Sequence, residues 1–329
     1  MKKTILLLLV FANATYAQLK TSEFENAMQL LQGNDPEKAF SNLEILEKKF
    51  PTDAQVIFLR GFYQFRDGNQ NGAMMSFSNA IKSNPKYAFA YGGRAQLFAA
   101  KGMLDKAILD ISEAIKLEPK NIDFLSTRAG FYNDNEQFTE GLADMKTKIK
   151  LDPNNIMGYF EAAKMSLKSG ENKADDYFAK AYLVKEIEKY SVDALYGEFL
   201  LINQRFEEAH AKYTAAITSN PDKLSSNTYG NAGIVEYKLK NFDAAINYLT
   251  KAIAMDQQSA EHRYNLATIY VDKQDFSKVK QIAEQLLAMN SEDAMANMYM
   301  AIGLKYTGNE NLALDYQAKA KKLEAEQNK

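Results

Sequence analysis

Along this chain small, large and small residues return at spacings of four and three. Ala73, Phe77 and Ala80 are followed by Ala107, Ile111 and Ala114, and later by Ala209, Tyr213, Ala216 and by Ala245, Leu249, Ala252. Residues so spaced share one face of an α-helix, so each triplet predicts a helix with a narrow packing stripe. The triplets keep a period of 34 residues, apart from an insertion of about two residues around Leu224 to Asn227. Prolines keep the same period: Pro51, Pro85, Pro119 and Pro153 stand 34 apart, and Pro221 lies twice that distance further on. Counting each of these as the thirty-second residue of a unit puts unit starts near Lys20, Ala54, Ala88, Ile122, Ile156, Tyr190, Ser226, Ala260 and Ala294. The eighth residue of each unit is then Ala27, Gly61, Ala95, Ala129, Ala163, Gly197, Gly233, Ala267 or Ala301, always Gly or Ala. A small residue at that point lets one helix approach a second. A turn near Gly68, Gly102, Gly170 or Gly308 joins the two, and the proline ends the pair.

These residues resemble the tetratricopeptide repeat. Its 34-residue pattern has a small residue at position eight, Ala at twenty, a large residue at twenty-four, Ala at twenty-seven and Pro at thirty-two. The resemblance implies an all-α protein, a right-handed α-solenoid of about nine 34-residue helix-turn-helix repeats over residues 18–329. One pair cannot bury its apolar face alone, so such an array is stable only as a stack. Position four, where the family favours Trp, carries none, because the chain has no Trp. Glu23, Asp193, Arg263 and Asn297 stand there in the first, sixth, eighth and ninth units. The run Lys173 to Tyr190 lacks both Gly and Pro. It predicts either a longer second helix in the fifth unit or a joint between two sub-arrays near 187–190. The increasingly charged stretch from Leu312 onwards suits a capping helix.

Residues 1–17 stand apart from the repeats. Lys2 and Lys3, the apolar run Ile5 to Ala12 and the ending Thr15-Tyr16-Ala17 predict an export signal cleaved after Ala17. The alternatives are a membrane anchor or a buried strand, but a run of eight falls far short of the ~20 residues that span a bilayer. The chain has no Cys, which removes disulfides, thiolate metal sites, a cysteine nucleophile and a lipid attachment point. Together these features point to a periplasmic or secreted bacterial protein. Forty Lys plus Arg against 42 Asp plus Glu leave a net charge of −2 and no basic excess for nucleic acid. Nucleic acid and a membrane span are therefore not expected.

In this family function resides in the groove lined by the first helices of the pairs, at positions two, five, six, nine, twelve and thirteen. In the second unit Phe58, Phe62 and Phe65 fall on one helical face, and Phe89 follows at position two of the third. Either they pack against the neighbouring repeat, or they are exposed and anchor an apolar segment of a partner. Asn231 and Asn265 both occupy position six, with Tyr264 and Lys238 close by. An asparagine offers donor and acceptor together, which suits a peptide backbone, although capping or inter-repeat hydrogen bonding is the preferred account. The family's clamp for a terminal carboxylate is not expected, since position six holds Leu59, Gly93 and Thr127 in units two to four. Arg60, Arg94 and Arg128 recur at position seven, where salt bridging or stem packing is preferred over an anion ladder.

Catalysis has little to stand on. His210 and His262 fall in different units, and neither has a second histidine at metal-ligand spacing. Asp175-Asp176 and Glu207-Glu208 read as solvated helix faces, and Gly92-Gly93 reads as close packing or groove lining rather than a phosphate loop. The expectation is a non-enzymatic protein without cofactor or metal that binds a protein or peptide in its groove. The alternative is a structural subunit or assembly factor of a bacterial envelope or secretion complex.

Overall fold

The computed structural model describes residues 21–33 and 35–327. The expected export signal, 1–17, lies outside the described residues. Among those described there are eighteen α-helices, one 3-10 turn at Pro221–Lys223, and no strand. The chain divides into two compact units, one ending at Lys180 and the other running from Ala181. The first holds α1 (Thr21–Gln32), α2 (Pro36–Lys49), α3 (Ala54–Arg66), α4 (Gln70–Ser83), α5 (Ala88–Ala100), α6 (Leu104–Leu117), α7 (Ile122–Asp134), α8 (Phe138–Leu151) and α9 (Ile156–Lys168). The boundary falls within α10 (Ala174–Leu183). The second holds α11 (Lys189–Ile202), α12 (Phe206–Ser219), α13 (Ser226–Lys238), α14 (Phe242–Met255), α15 (Ala260–Asp272), α16 (Phe276–Met289), α17 (Ala294–Tyr306) and α18 (Glu310–Gln327).

Helices begin at Ala54, Ala88, Ile122, Ile156, Ser226, Ala260 and Ala294, the predicted unit starts, and α11 begins one residue early at Lys189. The reason is local. Asp53, Asn121, Asn155, Ser225, Ser259 and Asp293 each accept a hydrogen bond from a first-turn backbone N–H of the helix that follows, which satisfies donors a helix start leaves free. The insertion is the 3-10 turn, after which Leu224 is buried.

From the second pair onwards each pair turns through a residue at positive φ, and the fifth has two, Gly170 and Asn172. Gly68, Gly102, Gly170 and Gly308 supply it at 82°, 72°, 79° and 89°. In the other turns Glu136, Gln204, Lys240 and Gln274 take the same conformation at 58°, 59°, 66° and 56°. A side chain there costs about 1 kcal/mol relative to glycine, so the pairing of the two helices imposes the turn.

The small eighth residue does meet the large twenty-fourth. A Cβ on Gly61 would lie 2.7 Å from the Phe77 ring, one on Gly197 3.0 Å from Tyr213, and one on Gly233 2.8 Å from Leu249 Cγ. Phe77 is held from the next repeat as well, since a Cβ on Gly93 would lie 2.8 Å from its Cζ. Gly93 is therefore a packing glycine. Leu249, Phe77 and Tyr213 are all essentially buried, and the core is the sum of these repeated contacts.

The fifth pair corrects one expectation. Its second helix does not lengthen; α10 has only 10 residues and ends at Leu183, followed by 184–188 before α11. Leu183 is 84% exposed, so nothing packs there to reward another turn.

Candidate functional site

Four pairs of successive first helices touch one another, α1 with α3 and α3 with α5 in the first unit, α11 with α13 and α13 with α15 in the second, in addition to their own partners. In each unit they line a face, and the side chains they turn outward are the surface open to a ligand.

The phenylalanine stripe is not part of that surface as an exposed patch. Phe58 and Phe62 are buried, and Phe65 and Phe89 are half-buried against the same core. Phe58 lies 5.5 Å from Phe77, 5.5 Å from Tyr87 in an edge-on arrangement and 6.3 Å from Phe89, whose ring is in turn 5.4 Å from Phe124. The aromatic series crosses three repeats because the contact of α3 with α5 closes over it. This corrects the reading of Phe58 and Phe62 as groove anchors; their rings serve internal packing.

In the second unit Asn231 and Asn265 are half-buried at equivalent positions of α13 and α15, helices that touch. Asn231 lies beside the Tyr213 hydroxyl. Tyr264 donates its hydroxyl to the Asp293 carboxylate and stacks on Tyr299 at 6.3 Å, so it too is tied to the next repeat. That tie and burial push its phenol well above the usual range, with burial the larger cause. His262 is buried under Gly230 and neither ring nitrogen has a hydrogen-bond partner. His210 Nδ1 lies 2.5 Å from the buried Glu236 carboxylate, which also accepts from Asn241. A cleft of about 480 Å³ opens beside Tyr182, Ile187, Tyr190 and Asn220. Among the described residues no group of three or more His, Asp or Glu is placed to hold a metal ion, and no helix is long and apolar enough to cross a membrane.

The periodic arginines are structural. Arg94 makes a two-pronged bond to Asp110 at 2.6 and 2.9 Å and reaches Ser78 of the preceding repeat at 3.5 Å. Arg128 repeats the arrangement with Asp144 at 2.8 and 2.7 Å and Ser112 at 3.0 Å. Arg60 pairs with Glu47 instead, its Nε at 2.6 Å. Planar guanidinium against carboxylate locks second helix to first and each repeat to the one before it.

Two family models described as the tetratricopeptide repeat match residues 90–121 and 236–301. Over those residues the chain carries tetratricopeptide repeats. A curated relative, the tetratricopeptide repeat-containing protein trd-1 of Caenorhabditis elegans, is 25% identical over 117 residues, which is 36% of this chain and 15% of that protein's length. Among solved structures, yeast Tom70 gives a TM-score of 0.60 at 19% identity, over 96% of this chain and 67% of that one. A tetratricopeptide repeat protein from Parabacteroides merdae gives 0.52 at 14% identity, over 76% of this chain and 98% of that one. The Cut9–Hcn1 hetero-tetramer of the APC/C gives 0.51 at 18%, over 87% of this chain and 49% of that one. These likenesses show the fold, an α-solenoid of helix-turn-helix repeats. Proteins of this repeat type are generally non-catalytic interaction scaffolds.

Set against the tetratricopeptide pattern, position twenty-seven holds one charged residue. It is Ala in six units, at Ala80, Ala114, Ala181 (one residue early), Ala216, Ala252 and Ala320, Leu46 and Leu286 in the first and eighth, and Lys148 in the fourth. Lys148 is 8% exposed. Its stem runs past Gly158 of α9, where a Cβ would lie 3.9 Å from Cδ and Cε. The ammonium is influenced by Asp123 of α7, Glu161 of α9 and Asp152, yet has no hydrogen bond and no carboxylate within 4.0 Å. Burial lowers its affinity for a proton, and burial likewise raises that of Asp123. Sequence reasoning missed Lys148; the break in the alanine column was the signal that could have found it.

Proposed function

We propose that this chain is a non-catalytic scaffold whose first-helix wall holds an extended segment of a partner protein, in a periplasmic or secreted setting. One observation carries the reading. The arginines and the aromatic series are engaged internally, whereas the first helices touch in series, α1 with α3 and α5 in the first unit and α11 with α13 and α15 in the second, and Asn231 and Asn265 stand half-exposed at equivalent positions along that second series. The unbroken apolar run of residues 5–12 behind Lys2 and Lys3 supports the exported setting.

A second reading, a structural subunit or assembly factor of an envelope or secretion complex, is favoured by Met75 on α4 and Leu109 on α6. They stand 34 residues apart, 67% and 68% exposed, on second helices. Site-specific photo-crosslinking in the native cell separates the two. With a crosslinker at Gln96 or Ile234, half-exposed on first helices, we expect a specific partner band that is absent with the crosslinker at Met75. Crosslinks from Met75 and Leu109 alone would establish the second reading, and none from any position refutes both.

A further inference from the structure

The second helices α2, α4, α6, α8, α12, α14 and α16 have 14 residues each, whereas α10 has 10. Four residues are about 6 Å of helix. Residues 184–188 follow in place of that turn, and the cleft of about 480 Å³ opens beside them, bordered by the end of α10, the start of α11 and the end of α12. Its lining lies entirely in the second unit. The volume suits a small molecule, whose sites run to roughly 300–1,000 Å³.

Two tyrosines give the cleft fixed apolar walls. Tyr182 donates its hydroxyl to Asp193 of α11 and accepts from Lys212 of α12 at 3.0 Å, and the Lys212 ammonium lies 4.9 Å from the centre of the same ring. Tyr190 packs against the cluster of Ala216, Leu224, Tyr229 and Ala252. Val184 and Ile187, both half-buried, add aliphatic surface to the lining. Both rings are held by contacts outside the cleft, so the space keeps its shape without an occupant.

The rim is cationic. Lys185 and Lys189 line the cleft, both are exposed, and among the described residues neither forms an ion pair. Glu188 stands against the two of them, which leaves an excess of one positive charge. Lys189 is also the first residue of α11, at the positive end of the helix dipole, where an acid is the favoured choice. That first turn holds no acid, and Glu188 at the cap accepts no hydrogen bond from it. In the same unit α13, α15 and α17 are capped by Ser225, Ser259 and Asp293. A cation set against the helix field with no internal partner is a local conflict of the type that an outside anion resolves.

We infer that the cleft takes a small amphiphile, its apolar body against Tyr182, Tyr190 and Ile187 and its single anionic head, of carboxylate or sulfonate type, beside Lys185, Lys189 and the start of α11. A neutral ligand would cover the lysines and return no charge, and a dianion would meet Glu188. The site lies apart from the first-helix wall, and either can fail without the other.

The test uses the full chain and two dyes that share one body, 8-anilinonaphthalene-1-sulfonate, which carries the anion, and N-phenyl-1-naphthylamine, which does not, each titrated by fluorescence. The wild type is expected to bind the sulfonate at one site about tenfold or more tighter than the neutral dye, and sodium decanoate is expected to displace it. Lys185→Gln with Lys189→Gln, both at exposed positions, is expected to weaken the sulfonate by about tenfold or more and to leave the neutral dye within about twofold. Ser219→Trp, exposed on the α12 side of the lining, fills the space and is expected to weaken both dyes by about tenfold or more. Circular dichroism on each variant separates loss of binding from loss of fold, and the lysine variant decides the matter if Ser219→Trp is perturbed. Crosslinking from Gln96 or Ile234 is expected to be unchanged in both variants, because it reads the wall alone. Equal affinity for the two dyes, sulfonate binding by the lysine variant within about twofold of wild type, or no displacement by decanoate overturns the inference.

Discussion

Two glycine-to-alanine substitutions in equivalent first helices should have opposite signs. In an open helix interior the exchange gains about 0.5–1 kcal/mol, because glycine gives up more backbone freedom on folding. At Gly130 nothing lies within 4 Å of the new Cβ, so Gly130→Ala should be stabilising by about that amount. At Gly61 the new Cβ would lie 2.7 Å from Phe77 Cδ1 and Cε1 and 3.1 Å from Ser76 Cβ. The ring cannot retreat freely, since Gly93 of the next repeat approaches its far edge and Phe77 is 2% exposed. Overpacking of this kind costs about 1–3 kcal/mol, which outweighs the helix gain and leaves Gly61→Ala destabilising by about 1 kcal/mol. The contrast of about 2 kcal/mol is read from urea midpoints followed by circular dichroism. Amide hydrogen exchange should show the loss centred on α3 to α5 and passed to neighbouring repeats. Equal stabilisation in both variants would refute the contact between positions eight and twenty-four on which the register rests.

Gln274→Gly relieves a side chain held at φ 56° and should raise stability by about 1 kcal/mol; an unchanged thermal midpoint would mean the turn carries no strain. Arg128→Ala strands the buried Asp144 and should cost about 2–3 kcal/mol, part of which the double variant Arg128→Ala, Asp144→Ala recovers; a double variant no better than the single one contradicts the pairing. Burial places the Lys148 proton affinity below that of an unfolded lysine, so the unfolded chain binds more protons in the alkaline range and stability there rises with pH. Lys148→Met should therefore raise the urea midpoint at neutral pH, with the advantage shrinking as pH rises through the lowered folded value and gone above the ordinary lysine value of 10.5, and a pH-independent difference would count against it. The protein recovered from its native compartment should begin at Gln18 on N-terminal sequencing; an intact Met1 contradicts the export reading.

The period of 34, the helix starts at Ala54, Ala88 and Ile122, and the meeting of Gly61 with Phe77 were legible in the sequence alone. They recur because every repeat must solve the same packing problem with the same small and large residues, and Asp53 or Asn121 caps its helix through neighbours within three positions. The bland reading of the arginine column was legible for the same reason. Tertiary structure decided the rest. Phe58, Phe62 and Phe65 share a face in any helix, but whether that face is wall or core depends on how closely α5 approaches α3, which no count within one repeat contains. Glu136, Gln204, Lys240 and Gln274 accept a left-handed turn because the two helices they join are already packed. α10 ends at the exposed Leu183, although no Gly or Pro stops it, a boundary that no residue in the run 173–190 announces. Lys148 breaks the alanine column in the sequence, but only the packing of α8 against α7 and α9 buries its stem beside Gly158.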